Sequence, residues 1–182
     1  MNGRAILAPP RRLAVTLALL AVAILAAWRG ELRATPTQSG AVRLMVDPEL
    51  ARSDYLEHCA GCHGVDGSTA PAQLPELRGR VGWFMCTPQS RAYLLRLPNV
   101  AHSRIKDNDE LADMMNFVVF VLGQGSAPSG TKPFTGDEVA RERQLALATA
   151  ALTVERARYA NVAIRKCHAP SSLRLLYPAQ AR

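Results

Sequence analysis

The sequence predicts an all-α fold. Residues 107–122 repeat apolar side chains at helical spacing, and residues 136–164 are rich in Ala, Leu, Glu and Arg without a proline. No segment of useful length alternates apolar and polar residues as a half-buried strand would. We therefore expect a small helical domain over residues 47–125 and a C-terminal helical extension over residues 126–182.

Four helices are predicted, over residues 47–59, 88–97, 107–122 and 136–164. Asp107 with Glu110 is typical of a capped helix start, and Thr135 with Glu138 repeats that pattern where the extension begins. Glycines and a proline end the third helix within residues 123–130. The last residues, from Pro170 onward, are expected to be loosely ordered.

The residues that indicate chemistry most directly are Cys59-Ala60-Gly61-Cys62-His63. Two thiols at this spacing can add across the two vinyl groups of one haem, and the adjoining imidazole then becomes an axial ligand of the iron. Half of a zinc site or a redox dithiol would also use a CxxC pair. The zinc site would need a second ligand pair, and the dithiol would need a βαβ context, and the sequence offers neither. One covalently bound haem c is therefore predicted at Cys59, Cys62 and His63.

The N-terminus is typical of an exported protein. Arginines 4, 11 and 12 precede an uncharged apolar run over residues 13–28. Cleavage near Ala34 would release a soluble periplasmic protein, and an uncleaved segment would instead anchor the chain to the inner membrane. Residues 1–34 are thus a signal peptide or membrane anchor, and residues 35–46 form a polar linker.

Charge is unevenly distributed along the chain. The whole chain has 22 basic and 15 acidic residues, a net charge of +7, and five of the arginines lie within residues 1–34. Residues 47–125 hold 7 basic and 10 acidic side chains, whereas residues 129–182 hold 9 basic and 4 acidic. Nucleic acid binding is not expected, because no basic surface with interleaved aromatics is visible. The basic extension either docks on a charged protein partner or is simply solvated.

Residues 47–125 resemble the class I cytochromes c. The resemblance rests on an aromatic residue one turn before the attachment motif (Tyr55), on CAGCH itself, on Pro75-Glu76-Leu77 and on a terminal helix with Phe117 and Phe120. It implies a helical fold around one haem, in which the first and last helices cross with Tyr55 against Phe120. It also implies that the Pro75 carbonyl accepts a hydrogen bond from His63, and that Leu77 lines the haem.

Two arginines follow the Pro-x-Leu segment. Arg78 and Arg80 are candidates to pair with the haem propionates, since guanidinium groups bind carboxylates in a bidentate manner. The alternative is that both are solvated surface arginines.

The second axial ligand is where the sequence departs from the family. Class I cytochromes c usually supply a methionine before the last helix, but residues 97–107 contain none. His102 in this loop is the first candidate and Met85 the second, while Met114 and Met115 have the spacing of core residues. An iron left open on this side is the remaining alternative.

Two further cysteines, Cys86 and Cys167, are not needed for the haem. In an oxidising periplasm a disulfide between them is the expected fate. Such a bond would join the extension to the haem domain.

Together these features predict a periplasmic electron carrier rather than an enzyme. We expect it to pass single electrons from a dehydrogenase donor to an oxidase or cytochrome acceptor, either as a free shuttle or as the electron-accepting subunit of a dehydrogenase. The alternative is a haem enzyme or a gas or redox sensor with an open axial position.

Overall fold

The structure is a computed structural model that describes residues 40–68 and 74–176. Over these residues the chain is mostly helical and contains no strand, so the all-α prediction is confirmed. None of the described helices is long and apolar enough to cross a bilayer. The expected signal peptide or anchor, residues 1–34, lies outside the described residues. Within the expected linker, Met45 is 8% exposed and joins the hydrophobic core.

We label the α-helices in chain order: α1 Pro48–His58, α2 Ala60–His63, α3 Pro88–Arg96, α4 Pro98–Ala101, α5 Asn108–Asn116, α6 Gly136–Glu142 and α7 Leu152–Cys167. A π-helical segment, Phe117–Leu122, continues α5. Shorter 3-10 helices cover Val81–Cys86, Arg143–Leu145, Thr149–Ala151 and Ser171–Arg174.

Helix α1 begins at an aspartate cap and packs across α5. The Asp47 carboxylate accepts from the Leu50 backbone N–H at 3.0 Å, and Pro48 suits the first turn because it lacks the N–H that a helix start cannot use. One carboxylate oxygen of Asp113, on α5, accepts from the backbone N–H groups of Val46 and Asp47 at 2.7 and 3.0 Å. The start of α1 is thereby tied to the terminal helix.

The aromatic contact between the first and last helices differs from the expected one. The Tyr55 ring lies 5.7 Å from the Phe117 ring rather than packing on Phe120, which is half-buried. Gly123 donates to the Val118 carbonyl across five residues, the spacing of a π-helix. This wider turn changes the faces on which residues 118–122 lie relative to α5, and the sequence pattern does not reveal it.

The expected helix over residues 136–164 is wrong as a single element. Helix α6 starts as predicted, because the Thr135 side chain accepts from the Glu138 N–H at 3.3 Å. It ends at Glu142, and α7 begins only at Leu152. Between them the Leu147 N–H donates to the Arg96 carbonyl at 2.9 Å. Good helix formers are therefore interrupted here by backbone bonding to α3, which local propensity does not encode.

The extension packs on residues 47–125 and shares their core. Tyr93 of α3 lies 5.7 Å from Phe84 and 5.0 Å from Tyr159 of α7. Ala160 and Ala163 are fully buried, and they allow α7 to approach the Val81–Cys86 turn closely. A disulfide joins Cys86 to Cys167 with the two Cα atoms 6.0 Å apart.

Residues 168–176, after α7, pack against the rest of the protein, in contrast to the loose tail that the sequence suggested, and residues 177–182 of that tail lie outside the described residues. Leu173 is 1% exposed and sits in the core. Arg80 donates to the carbonyls of Ser172 and Leu175 at 2.6 and 2.7 Å. Arg156 adds weaker bonds to residues 173 and 175 at 3.1 and 3.3 Å. Two buried guanidinium groups thus hold the backbone of this segment, which its prolines and serines do not suggest.

Candidate haem attachment site

The CxxCH motif forms a single helical turn directly after α1. The Cys59 N–H donates to the Tyr55 carbonyl at 2.9 Å, and the Cys59 carbonyl accepts from Cys62 and His63 at 3.1 and 3.0 Å. Residues three and four apart on a helix share one side. The turn that starts at Cys59, the N-cap residue of α2, therefore places both thiols and the imidazole on one side, and Gly64 ends it at a φ of 77°.

Both thiols of the motif are free. Cys59 is half-buried against the core and Cys62 is exposed. Burial, followed by the nearby Cys62 and Asp54, raises the pKa of Cys59 to about 11. A redox dithiol commonly has a lowered thiol pKa, so the electrostatics of this turn do not favour that alternative.

The imidazole of His63 is half-buried and favours its neutral form. Burial lowers its pKa, and the backbone carbonyl of Pro75 partly opposes this shift by accepting a hydrogen bond. Among the described residues, no acceptor meets strict hydrogen-bond geometry with the buried Nδ1, so the contact with Pro75 is a weak one. A metal-binding histidine needs a neutral ring with its other nitrogen directed by the protein. His63 has the neutral ring, and the Pro75 carbonyl is the group that contacts its other nitrogen.

A glycine brings the Pro-x-Leu segment next to the attachment turn. The Gly67 carbonyl accepts from the backbone N–H groups of Leu77 and Arg78, both at 3.0 Å. Gly67 has a φ of 73°, and a Cβ there would lie 3.2 Å from the Leu77 Cβ. Leu77 is half-buried and packs on the core. Glycine is thus needed at 67 for both conformation and space.

The two arginines after Leu77 have different surroundings. Arg78 is exposed and forms an ion pair at 2.8 Å with Asp66, which lies between His63 and Pro75 in the sequence. Arg80 is 7% exposed and is already bonded to the extension. Of the two propionate candidates, Arg78 alone lies on the surface.

The second-ligand candidates also differ in their surroundings. His102 caps the C-terminal end of α4 and its side chain is exposed. Met85 is 7% exposed and lies in the core, as do Met114 and Met115 on α5. Buried methionines at such positions commonly serve packing. The assignment of either His102 or Met85 to the iron stays a prediction.

The residues of the attachment turn fit a covalently bound haem. Two unbridged thiols three positions apart, on the same side as a neutral imidazole with a buried Nδ1, are the donor set that attachment requires. Within residues 40–68 and 74–176, no group of three or more His, Cys, Asp or Glu side chains could hold a metal ion by itself. Protein side chains alone therefore do not form a metal centre in these ranges.

Comparison with known proteins points the same way. The chain is 28% identical over 128 residues to a cytochrome c-552 of Thermus thermophilus, covering 59% of this chain and 86% of that protein. A second Thermus thermophilus cytochrome c-552 is 28% identical over 116 residues, covering 54% of this chain and 88% of its own length. No protein-family model and no solved structure matches the chain. These similarities support a place in a cytochrome c family.

Two residues of α1 beside the site have surroundings that the sequence did not indicate. The fully buried Tyr55 donates its hydroxyl to the Gly64 carbonyl at 2.5 Å, which holds the end of the attachment turn. Asp54, one residue earlier, is 7% exposed and has one carboxylate oxygen with no partner among the described residues. Asp54 and Tyr55 share a helix with the motif, but only the packing of α1 on α5 shows that both are buried.

Proposed function

We propose that this chain is a monohaem c-type cytochrome that carries single electrons between redox proteins outside the cytoplasm. The observation that carries the proposal is the helical turn that presents Cys59, Cys62 and His63 on one side. The cytochrome c-552 similarity supports it independently. The bound haem would supply the redox chemistry, while the protein determines ligation, burial and docking.

The residues divide the work of holding the haem. Cys59 and Cys62 provide the thioether sulfurs, and His63 provides the first axial nitrogen. The Pro75 carbonyl would direct the imidazole by accepting from its Nδ1–H, which selects the tautomer with Nε2 free for iron. Leu77 would contribute apolar surface, and the exposed Arg78 would pair with a propionate. His102 is our first choice for the second axial ligand, because it lies in the loop before α5.

Export and partners form the outer part of the proposal. The arginines and the apolar run of residues 1–34 support an exported chain, either released or tethered at the inner membrane. The extension adds exposed cations at Arg158, Arg165 and Lys166 on α7. A positive surface of this kind suits an acidic docking site on a dehydrogenase, an oxidase or another cytochrome.

The test begins with covalent attachment. The full chain is produced in a bacterial host with its cytochrome c maturation system, and the purified protein is measured by intact mass. We expect the added mass of one haem, together with a spectrum that changes reversibly on one-electron reduction. Cys59→Ser with Cys62→Ser should lose the added mass, whereas the matched exposed change Ser53→Ala should keep it. Wild-type protein without covalent haem would refute the proposal.

Carbon monoxide separates the electron carrier from the alternative of an open haem enzyme or sensor. A low-spin ferrous protein that binds carbon monoxide slowly indicates a ligated iron and supports electron transfer. Rapid binding to a high-spin iron would instead favour the enzyme or sensor.

A further inference from the structure

The loop before α5 is held by a residue of the C-terminal extension. The segment 97–107 contains α4, and from its last residue onward the chain alternates in exposure: Ala101, Ser103 and Ile105 are buried, and the residues between them, among them His102, are exposed. The backbone carbonyls of the three buried residues all accept hydrogen bonds from one side chain, Arg143.

Arg143 uses all three of its nitrogen atoms on this loop and on the helix that follows. Its Nε donates to the Ala101 carbonyl at 3.1 Å, and Nη2 donates to the carbonyls of Ser103 and Ile105 at 3.4 and 3.2 Å. Its Nη1 donates to the Asn108 side-chain oxygen at 3.0 Å, in the first turn of α5. The guanidinium therefore bonds to the backbone on both sides of residue 102. A lysine could not reproduce this, because its ammonium is a single point of charge.

The position of Arg143 is itself fixed by ion pairs. It follows directly after α6, and Glu138 and Glu142 of that helix pair with Arg91 and Arg96 of α3 at 2.5 and 2.6 Å. These four side chains are 17–33% exposed, so solvent screens the pairs only in part. Leu147, two residues after the 3-10 turn Arg143–Leu145, is also bonded to α3, because its N–H donates to the Arg96 carbonyl. Both flanks of Arg143 are thus anchored to the helix that leads into the loop.

We propose that Arg143 is a positioning residue for the second axial ligand. By tying the backbone at 101, 103 and 105, it sets where the His102 imidazole stands and limits the excursions of the loop that would release a bound ligand. This inference rests on the proposed haem function, and it assigns the C-terminal extension a role in ligation beyond that of covering the core.

The experiment measures ligand exchange in the haem-loaded protein. Arg143→Ala, Arg143→Lys and His102→Ala are compared with wild type, and the control is Arg141→Ala, an exposed arginine on α6. The readouts are the rate of carbon monoxide binding to the ferrous protein, the spin state in the absorption spectrum, and the midpoint potential. Intact mass and far-ultraviolet circular dichroism establish that each variant carries haem and is folded.

We expect Arg143→Ala to bind carbon monoxide about tenfold faster than wild type, since it loses several hydrogen bonds from a charged donor. Arg143→Lys should fall between the two, and Arg141→Ala should match wild type. In the double variant with His102→Ala, removal of Arg143 should add nothing further, because there is no longer a ligand to position.

Three results would overturn the inference. One is a folded, haem-loaded Arg143→Ala with wild-type binding rate and potential. Another is an unchanged spectrum in His102→Ala, which removes this histidine from the iron. The last is a wild-type iron that is already open. All three leave covalent attachment intact, whereas absence of haem from wild type is the separate failure of the proposed function. If Arg143→Ala does not fold, the same readouts are taken on Arg143→Lys and Asn108→Ala, each of which loses only part of the Arg143 contacts. A wild-type rate of carbon monoxide binding in both would then overturn the inference.

Discussion

The disulfide between Cys86 and Cys167 gives the most quantitative prediction. It closes a loop with a sequence separation of 81 residues. In the chain-entropy model, a cross-link of this length restricts the unfolded chain by about 4.5 kcal/mol at 25 °C. We expect Cys86→Ser with Cys167→Ser to lower the free energy of unfolding by ~2–4 kcal/mol, since measured losses commonly fall below the full entropic value. This is a large share of the ~5–15 kcal/mol typical of a folded protein.

The assay is guanidinium unfolding of the haem-loaded protein at pH 7, followed by far-ultraviolet circular dichroism. The matched control is chemical reduction, because a thiol reductant opens the disulfide but leaves thioether bonds to haem intact. Wild type with reductant should therefore unfold at the same midpoint as the double variant, and the double variant should not respond to reductant. A double variant within about 1 kcal/mol of oxidised wild type would refute the reasoning, because it would mean that the cross-link does not restrict the unfolded ensemble.

Three further predictions concern the attachment turn. Tyr55→Phe removes the hydroxyl that bonds to the Gly64 carbonyl at 2.5 Å, so we expect a loss of ~1 kcal/mol in thermal or denaturant unfolding; an unchanged stability would mean that this bond contributes nothing net. Gly67→Ala places a Cβ 3.2 Å from that of Leu77 at a φ of 73° and should destabilise the holoprotein by ~1–2 kcal/mol or more. The control Gly79→Ala, at a φ of 64° with open space around it, should show only the cost of the left-handed backbone conformation. Equal losses of stability in the two variants would mean that crowding against Leu77 contributes nothing. Burial raises the pKa of Asp54 above 3.8, so the folded state binds its proton more tightly and stability falls as the pH rises through the folded pKa. Asp54→Asn should therefore raise the unfolding midpoint at pH 7, with a gain that shrinks as the pH approaches 3.8. A difference between variant and wild type that does not depend on pH would contradict this.

The helices were predictable where the signals are local. The expected ranges 47–59 and 88–97 correspond to Pro48–His58 and Pro88–Arg96, since each starts at a side-chain cap followed by a proline. The cap at Asp107 accepts from the Asp109 and Glu110 N–H groups, as its pattern predicts. Each of these features depends on atoms within about four residues of one another.

Failures occurred where distant residues decide the local structure. The single helix expected over residues 136–164 is broken because Leu147 bonds to the Arg96 carbonyl. Residues 170–176 pack on the core because Arg80 and Arg156 bind their carbonyls. Neither contact leaves a periodic pattern in the sequence. Propensity describes an isolated segment, and tertiary bonding of the backbone overrides it.

What the sequence determined by itself is the set of groups in the attachment turn. The spacing of Cys59, Cys62 and His63 is set by the order of residues in the chain. One turn of helix is enough to bring the three side chains to the same side, without contacts from the rest of the fold. Only the tertiary structure decided that Tyr55 bonds to Gly64, that Arg80 turns inward to the extension and that Arg143 holds the loop around His102. The physical reason is that these bonds depend on where α1, α5 and the extension pack, and that placement comes from burying one common core rather than from any short stretch of chain.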